Sequence, residues 1–352
     1  MNHEPHPGRT LPVVLVGCGS MARTWVRAAV EDPAIRLTGL VDLDTAHAHR
    51  LAAEFDLPTD LVYADLGEAI DATRAEAVFD VTIPEAHRGV TLHALARGCH
   101  VLGEKPLSVD MASAREMVAA AEAADRVYAV TQSRRAHPAF HAIRRYLADD
   151  GLGRVAEVHA DFFRGPRFGG FRDQMAHPLL VDMAIHAFDN ARQLTGADPL
   201  RVFAQAWNPA HSWYAGQASA LAIFEMTDGL TFTFRGSWCA DGHPTAWDAD
   251  WRIVGGRGTL RWDGESQIHL QHRRDDPADP AAFEPALVSE VLSPEPLPHQ
   301  GHTLLIREFA RHVLSERRTP LECPASDNLR SLAMVHAAVQ SADSGQPVCI
   351  DF

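Results

Sequence analysis

The sequence predicts an α/β protein in two parts: a doubly wound parallel sheet, then an α+β part with a large, mostly antiparallel, open sheet. In the first part, apolar runs alternate with helical segments, as in parallel strands that are buried on both faces. In the second part, strand-like runs follow one another across short turns, which favours antiparallel pairing. A chain of 352 residues is long enough for two domains, and we expect them to be 1–131 and 132–352.

The predicted elements of the first domain follow a regular rhythm. Strands are expected where continuous apolar runs occur, at 11–16, 35–41, 77–83, 100–103 and 127–131. Helices are expected between them, at 20–30, 46–54, 86–97 and 110–124. Asp110 has the residue type and the position of a helix N-cap. This alternation of strand and helix is the pattern of a sheet with helices on both faces.

The predicted elements of the second domain are richer in strands. Helices are expected at 138–149 and 180–194, with an alternating strand at 155–163 between them. Further strand-like runs lie at 202–207, 220–226, 230–238, 251–255, 258–262 and 267–272. The proline-rich, acidic segment 277–298 is expected to be a long surface connection. Helices at 303–315 and 326–341, which are able to pack back on the first domain, precede a short terminal run at 347–352.

Charge and composition exclude some classes of protein. The formal net charge of −14 repels a phosphate backbone, so no nucleic-acid partner is expected. The five cysteines form no CxxC pair, which argues against a structural zinc site and favours a reducing compartment. No run reaches the ~18 apolar residues of a membrane span, and the first residues lack the basic and apolar regions of a signal peptide. We therefore expect a cytoplasmic protein with no membrane partner.

A glycine-rich motif stands where the first predicted strand turns into the first helix. The run Gly17-Cys18-Gly19-Ser20-Met21-Ala22 has the form GxGxxA. The first glycine permits a tight turn, the second lets the backbone approach a pyrophosphate, and the alanine lets the helix pack close to the strand. The phosphates would then bind at the helix N-terminus. Asp42, at the end of the second strand, is placed to bind ribose hydroxyls and to repel a 2′-phosphate, which favours NAD over NADP.

Two groups of residues have the chemistry of proton transfer. Lys105 follows the fourth strand, where ligands bind in such sheets, and Pro106 fixes the turn beside it. Asp182, His186 and Asp189 are spaced to share one face of a predicted helix. A histidine beside a carboxylate can exchange a proton near neutral pH. Each group also has a simpler interpretation. Lys105 would be an ordinary surface lysine at a strand end. Asp182 and His186 would be a hydrogen-bonded pair on a helix without a catalytic role.

A metal site is a further interpretation of the second group. His177, Asp182 and His186 would be its ligands. No further cysteine or histidine falls at a recognisable ligand spacing. We therefore predict no metal.

The combination of GxGxxA, Glu104-Lys105-Pro106 (the EKP turn) and the DxxxHxxD run that begins at Asp182 resembles the Gfo/Idh/MocA oxidoreductases. That family includes glucose–fructose oxidoreductase and inositol dehydrogenase. The resemblance covers nearly the whole chain, and the combination of motifs is specific although each motif alone is not. It implies an N-terminal Rossmann domain that binds NAD. It also implies a cis peptide bond between Lys105 and Pro106 and an open C-terminal sheet that builds a homodimer or homotetramer.

The resemblance assigns site residues by their positions in the motifs. It implies that Lys105 lies near the nicotinamide and the substrate, and that Asp182 and His186 hold and deprotonate the substrate alcohol. The cofactor-binding residues are then expected to be Gly17, Gly19, Ser20, Met21, Asp42, Thr82, Pro84, His87, Glu104, Lys105 and Gln132.

The sequence also departs from the pattern of that family. Relatives often carry glycines just before the DxxxH helix and two residues after its aspartate. This chain has His177-Pro178-Leu179-Leu180 and Ala184 at those places. The bulkier residues change how closely a substrate approaches, so the identity of the substrate is not transferable from a relative.

Two aromatic segments are candidate substrate-binding loops. Segment 162–177 has arginines among its aromatic residues, and segment 237–251 has three tryptophans. Aromatic rings beside hydrogen-bonding groups suit a sugar or polyol ring. We expect Arg164 and Trp238 to bind substrate together with Asp182. Loops that pack their own aromatic residues have the same composition.

Together these observations predict an NAD-dependent dehydrogenase that oxidises a secondary alcohol of a sugar, cyclitol or related polyol. His186 would take the hydroxyl proton while hydride passes to the nicotinamide. Two alternatives remain open. One is a redox-neutral glycosidase or epimerase that keeps its NAD and uses transient oxidation. The other is a nucleotide-binding regulator without turnover.

Overall fold

The structure, a computed structural model, describes residues 9–274, 283–284 and 286–352. The expected connection at 277–298 therefore lies partly outside the described residues. The chain divides into two units. The first unit comprises the residues up to Ala136 together with Pro298–Leu332, and the second comprises His137–Leu297 together with Ala333–Phe352.

Parallel strands form the sheet of the first unit. They are β1 (Leu11–Val16), β2 (Ile35–Val41), β3 (Val62–Tyr63), β4 (Ala77–Asp80), β5 (His100–Gly103) and β6 (Tyr128–Val130). They pair in the order β3-β2-β1-β4-β5-β6, all in parallel. The order reverses beside β1, and ligands bind at the carboxyl ends of the strands at such a switch point. The predicted doubly wound parallel sheet is confirmed.

The second unit contains a larger sheet. Its strands are β7 (Val155–Phe163), β8 (Pro199–Trp207), β9 (Ser219–Met226), β10 (Thr231–Ser237), β11 (Asp250–Gly255), β12 (Gly258–Trp262), β13 (Ile268–Arg273), β14 (Leu287–Leu292) and β15 (Val348–Cys349). They pair in the order β14-β13-β12-β11-β7-β10-β9-β8-β15. Among these described strands β7 and β10 pair in parallel, and the other neighbours are antiparallel. The predicted, mostly antiparallel sheet is confirmed.

Helices connect and cover the two sheets. In chain order they are α1 (Ala22–Val30), α2 (Thr45–Glu54), α3 (Leu66–Thr73), α4 (Pro84–Ala96), α5 (Met111–Ala123), α6 (Pro138–Ala148), α7 (Ile185–Thr195), α8 (Gly301–Leu314) and α9 (Ala325–Ser344). Asp110 caps α5, as predicted, by accepting the backbone N–H of Ser113, a contact that stabilises a helix by ~1 kcal/mol. Within the described part of the chain, no helix has the length and apolar character that a membrane crossing needs.

Helix α8 belongs to the core of the first unit. Its buried residues Ile306 and Phe309 pack in one apolar cluster with Trp25 and Phe79. The ring centroids of Trp25 and Phe79 are 5.2 Å apart, and those of Phe79 and Phe309 are 6.1 Å apart. Fully burying a phenylalanine side chain contributes ~2 kcal/mol. The first unit therefore depends on a segment that lies, in the sequence, between the two parts of the second unit.

In the second unit, α7 packs on one face of the sheet. Phe188 is fully buried, and its ring centroid lies 4.8 Å from that of Phe224 and 5.4 Å from that of Phe234. Side chains alternate along a strand, so the neighbours of these residues point to the other face. That face of β8 and β9 exposes four large apolar side chains: Phe203, Trp207, Leu221 and Ile223.

Some elements differ from the sequence prediction. The expectation of a connection at 277–298 is wrong for residues 287–292, which form β14 and pair with β13. β14 is an edge strand with little buried surface, so its sequence has no apolar periodicity to detect. β3 and α3 lie at 62–73, where no element was predicted. β4 ends at Asp80 and not at residue 83, which leaves Thr82 in the turn that follows it.

Candidate active site

The β1–α1 turn is built around two glycines with different constraints. Gly17 has a φ of +92°, and a Cβ on it would lie 2.6 Å from the carbonyl oxygen of Val81. Only glycine fits such a position without a backbone shift. A Cβ on Gly19 would meet no atom of the described residues within 4 Å. Packing of the protein therefore does not require glycine at 19, whereas close approach of a pyrophosphate to the backbone does.

The start of α1 has the features of an anion site. Ser20 and Met21 precede the helix and are exposed, and Met21, the N-cap residue, makes no side-chain cap. The backbone N–H groups of Ala22 and Thr24 donate to the carbonyl oxygens of Gly19 and Met21, and the helix dipole favours a negative group at this end of α1. Ala22 is fully buried, which confirms that the small residue of the motif lets α1 pack against the sheet.

The carboxylate of Asp42 is held beside the glycine turn. Its Oδ2 accepts the backbone N–H of Cys18 at 2.8 Å, and its Oδ1 accepts that of Asp44 at 3.0 Å. The imidazole Nδ1 of His47 lies 3.5 Å from Oδ1. The acid thus occupies the place where a ribose is bound in this fold. A pocket of about 220 Å³ on the same side is lined by Cys18, Gly19, Ser20, Arg23, His47, Arg50 and Leu51.

Thr82, Pro84 and His87 lie together after β4. Thr82 donates its backbone N–H at 3.1 Å and its hydroxyl at 2.5 Å to Oδ1 of Asp80. Pro84 begins α4. The buried ring of His87 has Nε2 3.2 Å from the carbonyl oxygen of Thr82 and Nδ1 2.9 Å from that of Pro106. His87 therefore joins the turn after β4 to the EKP turn.

Asp80 is a site residue that was not among the predicted ones. It is 1% exposed, and its Oδ2 has no hydrogen-bond partner among the described residues. Burial raises the pKa of Asp80 and the charge of Glu104 adds to this, although His87 and the hydrogen bonds from Thr82 oppose the rise. An acid inside an apolar strand beside the switch point is the sequence signal that identifies it.

The EKP turn follows β5. The peptide bond between Lys105 and Pro106 is cis, as the family resemblance implies. Lys105 is the only lysine of the chain, although lysines and arginines together number 32. A lysine ammonium is a compact charge that can lose its proton, whereas a guanidinium cannot. A single lysine in a chain whose other basic residues are arginines is a further sequence signal for this turn.

Gln132 stands at the carboxyl end of β6. It is fully buried, and neither its Oε1 nor its Nε2 has a hydrogen-bond partner within the described part of the chain. A buried amide without partners costs ~1–3 kcal/mol per group, so such a residue fits a place where a ligand supplies the missing partners. The glycine turn, the fixed carboxylate of Asp42 and the amide of Gln132 all fit NAD at this edge of the sheet.

In the second unit, the DxxxHxxD motif begins in a wider turn than predicted. Leu179–Ala184 is π-helical, and α7 follows directly. Asp182 therefore lies in the wide turn and His186 in the first turn of α7. π-helical turns are rare and frequently mark functional sites. Leu179 and Leu180, the two bulky residues at the start of this turn, are fully buried.

Asp182 is fixed by an arginine that was not predicted as a site residue. Its Oδ2 accepts the Nε–H of Arg172 at 2.8 Å, and the carboxylate side chain is 11% exposed. The guanidinium of Arg172 also stacks 4.8 Å from the ring of Phe171 and 5.5 Å from that of Phe168. The Arg172 side chain is 33% exposed, so the pair is partly solvated, and the charge-assisted hydrogen bond and the two rings orient the guanidinium. His186, four residues along, is also buried.

The residues weighed as metal ligands have other partners. His177 is buried, and its Nε2 lies 2.9 Å from a carboxylate oxygen of Asp343. Across residues 9–274, 283–284 and 286–352, no group of three or more His, Cys, Asp or Glu side chains is placed to hold a metal ion.

The two aromatic segments contact each other. Trp238 is fully buried, and its ring centroid lies 5.5 Å from that of Phe162 and 5.8 Å from that of Trp247. Trp247 is 37% exposed. The guanidinium of Arg164 lies 4.2 Å from the Trp247 ring centroid. Trp247 is therefore the exposed ring beside Arg164, and Trp238 is buried against it.

Comparison with known proteins agrees with this organisation. Residues 11–132 match an oxidoreductase family with an NAD-binding Rossmann fold, and residues 140–261 match the GFO/IDH/MocA C-terminal domain. The fold, the nucleotide edge and these matches define the class: the protein is an NAD-dependent oxidoreductase. Within that class, the chain belongs to the Gfo/Idh/MocA family, as its motifs predict.

Curated relatives extend over most of the chain. An uncharacterised protein of Sinorhizobium fredii is 27% identical over 348 residues, which is 96% of this chain and 95% of that protein. D-apiose dehydrogenase of Paraburkholderia graminis is 27% identical over 343 residues, 95% of this chain and 88% of that enzyme. Inositol 2-dehydrogenase of Ralstonia nicotianae is 28% identical over 226 residues, 63% of this chain and 65% of that enzyme.

Solved structures share the fold. An oxidoreductase from Agrobacterium radiobacter in complex with NAD⁺, L-tartaric acid and magnesium superposes with a TM-score of 0.84 at 20% identity, covering 96% of this chain and 98% of that one. An inositol dehydrogenase homologue from Azotobacter vinelandii, complexed with NADH and myo-inositol, gives a TM-score of 0.81 at 19% identity, with 98% of each chain covered. At these identities the likeness is one of fold.

Proposed function

We propose that this oxidoreductase oxidises a secondary alcohol of a sugar, cyclitol or related polyol with NAD. The observation that carries the proposal is the single lysine of the chain, Lys105, which lies just after β5 at the carboxyl edge of the first sheet, beside residues that fit NAD. The second unit adds a fixed carboxylate and a histidine, Asp182 and His186. Relatives named as D-apiose and inositol 2-dehydrogenases support an alcohol of this class.

Each of these residues has a role in the proposed reaction. When bound at the edge of the first sheet, NAD would supply the acceptor for the hydride of the alcohol carbon. The hydroxyl proton goes to the imidazole of His186, so that the alcohol becomes a ketone and one proton is released. Asp182, held by Arg172, accepts a hydrogen bond from a substrate hydroxyl, and the ammonium of Lys105 donates to the oxygen that becomes the carbonyl.

The aromatic segments are proposed to bind the ring of the substrate. Trp247 offers an exposed aromatic face, and Arg164 beside it offers hydrogen-bond donors. Apolar ring faces and hydroxyl groups of a sugar match this combination. Trp238, which was predicted to bind substrate, supports Trp247 from the buried side.

Asp42 is proposed to select NAD over NADP. Two backbone N–H groups hold its carboxylate, so it cannot turn away from a 2′-phosphate, and the charges repel each other. Because the chain has no disulfide among its cysteines, we also propose a cytoplasmic location, where NAD and a reducing environment occur together.

The exposed apolar face of β8 and β9 is proposed as a self-association surface of a homodimer or homotetramer. Contiguous exposed apolar side chains on a soluble protein commonly mark an interface. One face of this sheet is covered by α7, and the other exposes these apolar side chains, as expected of an interface.

The test is reduced-nicotinamide absorbance in mixtures of the purified protein with NAD or NADP and a panel of sugars, inositols and sugar glycosides. We expect the absorbance to grow with NAD and one class of polyol. No growth in any mixture, with NAD bound to the protein, would contradict net oxidation. Hydrolysis of a glycoside or epimerisation of a sugar without net NADH would then identify redox-neutral chemistry. If no substrate is converted at all, the protein is identified as a regulator.

A further inference from the structure

The carboxylate of Glu104 is buried directly behind Lys105. Its side chain is 10% exposed, and its Oε1 lies 2.9 Å from Nε2 of His302 and accepts the indole N–H of Trp25 at 2.8 Å. Its Oε2 accepts the backbone N–H of Lys105 at 3.2 Å. A buried carboxylate is destabilised unless hydrogen bonds and positive charges compensate, so these donors decide its charge.

The donors keep Glu104 ionised. Burial acts to raise its pKa, but the hydrogen bond and charge of His302, the indole of Trp25 and the charge of Lys105 outweigh burial and hold the pKa below its ordinary value. The other titratable groups facing this carboxylate are Asp80, whose pKa burial raises, and His87 beside Asp80. Negative charge is therefore concentrated at Glu104, next to the lysine.

His302 reaches Glu104 from a late part of the sequence. It lies in the first turn of α8, and its ring centroid is 6.2 Å from that of Trp25. α8 is anchored by Ile306 and Phe309, which share an apolar cluster with Trp25. Because buried side chains fix the helix, the imidazole stands at a fixed distance from the carboxylate.

We propose that His302 is a positioning residue for the EKP turn. Its Nε2 holds one oxygen of Glu104, so that the other oxygen accepts the backbone N–H of Lys105 and the ionised carboxylate attracts the lysine ammonium. His302 acts through Glu104 and does not touch the substrate. The inference rests on the proposed function, in which Lys105 binds the reacting oxygen.

The first test uses Lys105 as its own probe. Because Lys105 is the only lysine, its acylation by an amine-reactive reagent can be followed in the full-length protein by peptide mass spectrometry. In His302→Leu, Glu104 loses a donor and is neutral over a wider pH range. The amine then loses an attracting charge, and we expect it to be acylated about three- to tenfold faster.

Two further variants sharpen this test. His302→Gln keeps an N–H donor near Glu104 and should restore the rate of acylation to within about twofold of the unaltered protein. His312→Gln is the matched control, because His312 lies on the same helix and its Nδ1 contacts the carbonyl oxygen of Thr319 instead. Acceleration in His312→Gln equal to that in His302→Leu would overturn the proposal, because it would report a general loosening of α8.

The second test is the pH profile of kcat/KM. Activity that needs ionised Glu104 is present above its pKa and is lost as the pH falls through it. Loss of a donor raises that pKa, so the acid limb of His302→Leu should move to higher pH while that of His302→Gln should not. We expect kcat to fall about tenfold and the Kd for NAD to change by less than about threefold.

The outcomes separate this inference from the proposed function. Acylation does not need a substrate, so it tests His302 even if no alcohol in the panel is oxidised. Unchanged acylation in a folded His302→Leu protein would overturn the role of His302 and leave the dehydrogenase proposal standing. If His302→Leu does not fold, Glu104→Gln replaces it, since the neutral amide has a similar shape and should accelerate acylation in the same way.

Discussion

At the scale of residues, two buried carboxyl groups at the edge of the first sheet have opposite properties. Burial raises the pKa of Asp80, whereas hydrogen bonds and nearby positive charges overcome burial and lower the pKa of Glu104. Neighbouring acids whose pKa values are pushed apart are typical of sites that handle protons. The difference arises because Glu104 receives donors from Trp25 and His302, while Oδ2 of Asp80 receives none within the described residues.

Asp80→Asn tests the pKa of the buried acid through stability. A raised pKa means that the folded protein binds more protons than the unfolded chain, so stability is lost as the pH rises through the raised pKa. Asparagine carries no charge and can still accept the two bonds from Thr82 through its Oδ1. We expect the free energy of unfolding of Asp80→Asn, relative to the unaltered protein, to increase as the pH rises above the ordinary aspartate pKa of about 4, measured by urea unfolding.

Asp65→Asn is the control of opposite sign. Asp65 caps α3, and the backbone N–H of Glu68 holds its pKa below the ordinary value. Its stabilisation is present above that ordinary value and is lost as the pH falls through the lowered pKa. A relative stability of Asp80→Asn that does not change with pH would show that Asp80 is ionised in the folded protein.

His186→Ala and Lys105→Arg test the proposed proton transfer. Loss of a general base lowers kcat by ~10²–10⁴, and an arginine at 105 keeps the charge but not the compact ammonium. We expect both variants to lose turnover, and His186→Ala, which replaces no predicted cofactor-binding residue, to bind NAD with a Kd close to that of the unaltered protein, measured by titration. His159→Gln, on a strand of the second sheet, is the control. Unchanged turnover in His186→Ala would remove the histidine from the mechanism.

At the scale of elements, the strands with a continuous or an alternating apolar run were the most predictable. β1, β2 and β7 have the bounds predicted from sequence, because continuous or alternating apolar runs identify buried strands. β14 was missed because an edge strand with exposed residues lacks such a pattern. The wide turn of Leu179–Ala184 was missed because residue spacing does not distinguish a π-helix from an α-helix.

The contrast between local sequence pattern and long-range packing also applies to the residues of the site. Gly17, Gly19 and Asp42 are close in sequence to the strand ends that place them, so a local motif identifies them. The contact of His302 with Glu104 depends on the docking of α8 into the core, and no local pattern encodes it. Residues of the EKP turn were therefore predictable, and the residue that holds the turn in place was not.

The two glycines of the β1–α1 turn provide a matched pair of substitutions. In Gly17→Ala the new Cβ meets the carbonyl of Val81 at a positive φ, so we expect a loss of about 1–3 kcal/mol in unfolding free energy. In Gly19→Ala the Cβ meets no atom of the described residues. We expect its thermal midpoint without NAD to be unchanged and its affinity for NAD to fall at least about tenfold. Equal effects of the two on stability would contradict the assignment of Gly19 to the cofactor.

At the scale of the whole molecule, the first unit is completed by a segment that comes after the longer part of the second unit in the sequence. Ile306 and Phe309 of α8 complete its apolar cluster, and His302 of the same helix reaches the EKP turn. A fragment that ends near residue 131 would therefore lack part of its core and one donor to Glu104. The sequence order of the elements does not reveal that α8 belongs to the first unit, because only its contacts with that unit's core show where it packs.

The uncovered face of the second sheet gives the last prediction. Phe203 on β8 and Ile223 on β9 stand opposite each other in register, and Ile223 is 42% exposed. A glutamate at 223 would place a charge in the middle of this apolar surface, and burying it in an interface would cost several kcal/mol. We expect the unaltered protein to have the mass of a dimer or tetramer in light scattering, and Ile223→Glu to have that of a monomer. Val30→Glu, at a comparably exposed position at the end of α1, should keep the mass of the unaltered protein. If Ile223→Glu keeps that mass too, the subunits associate through another surface.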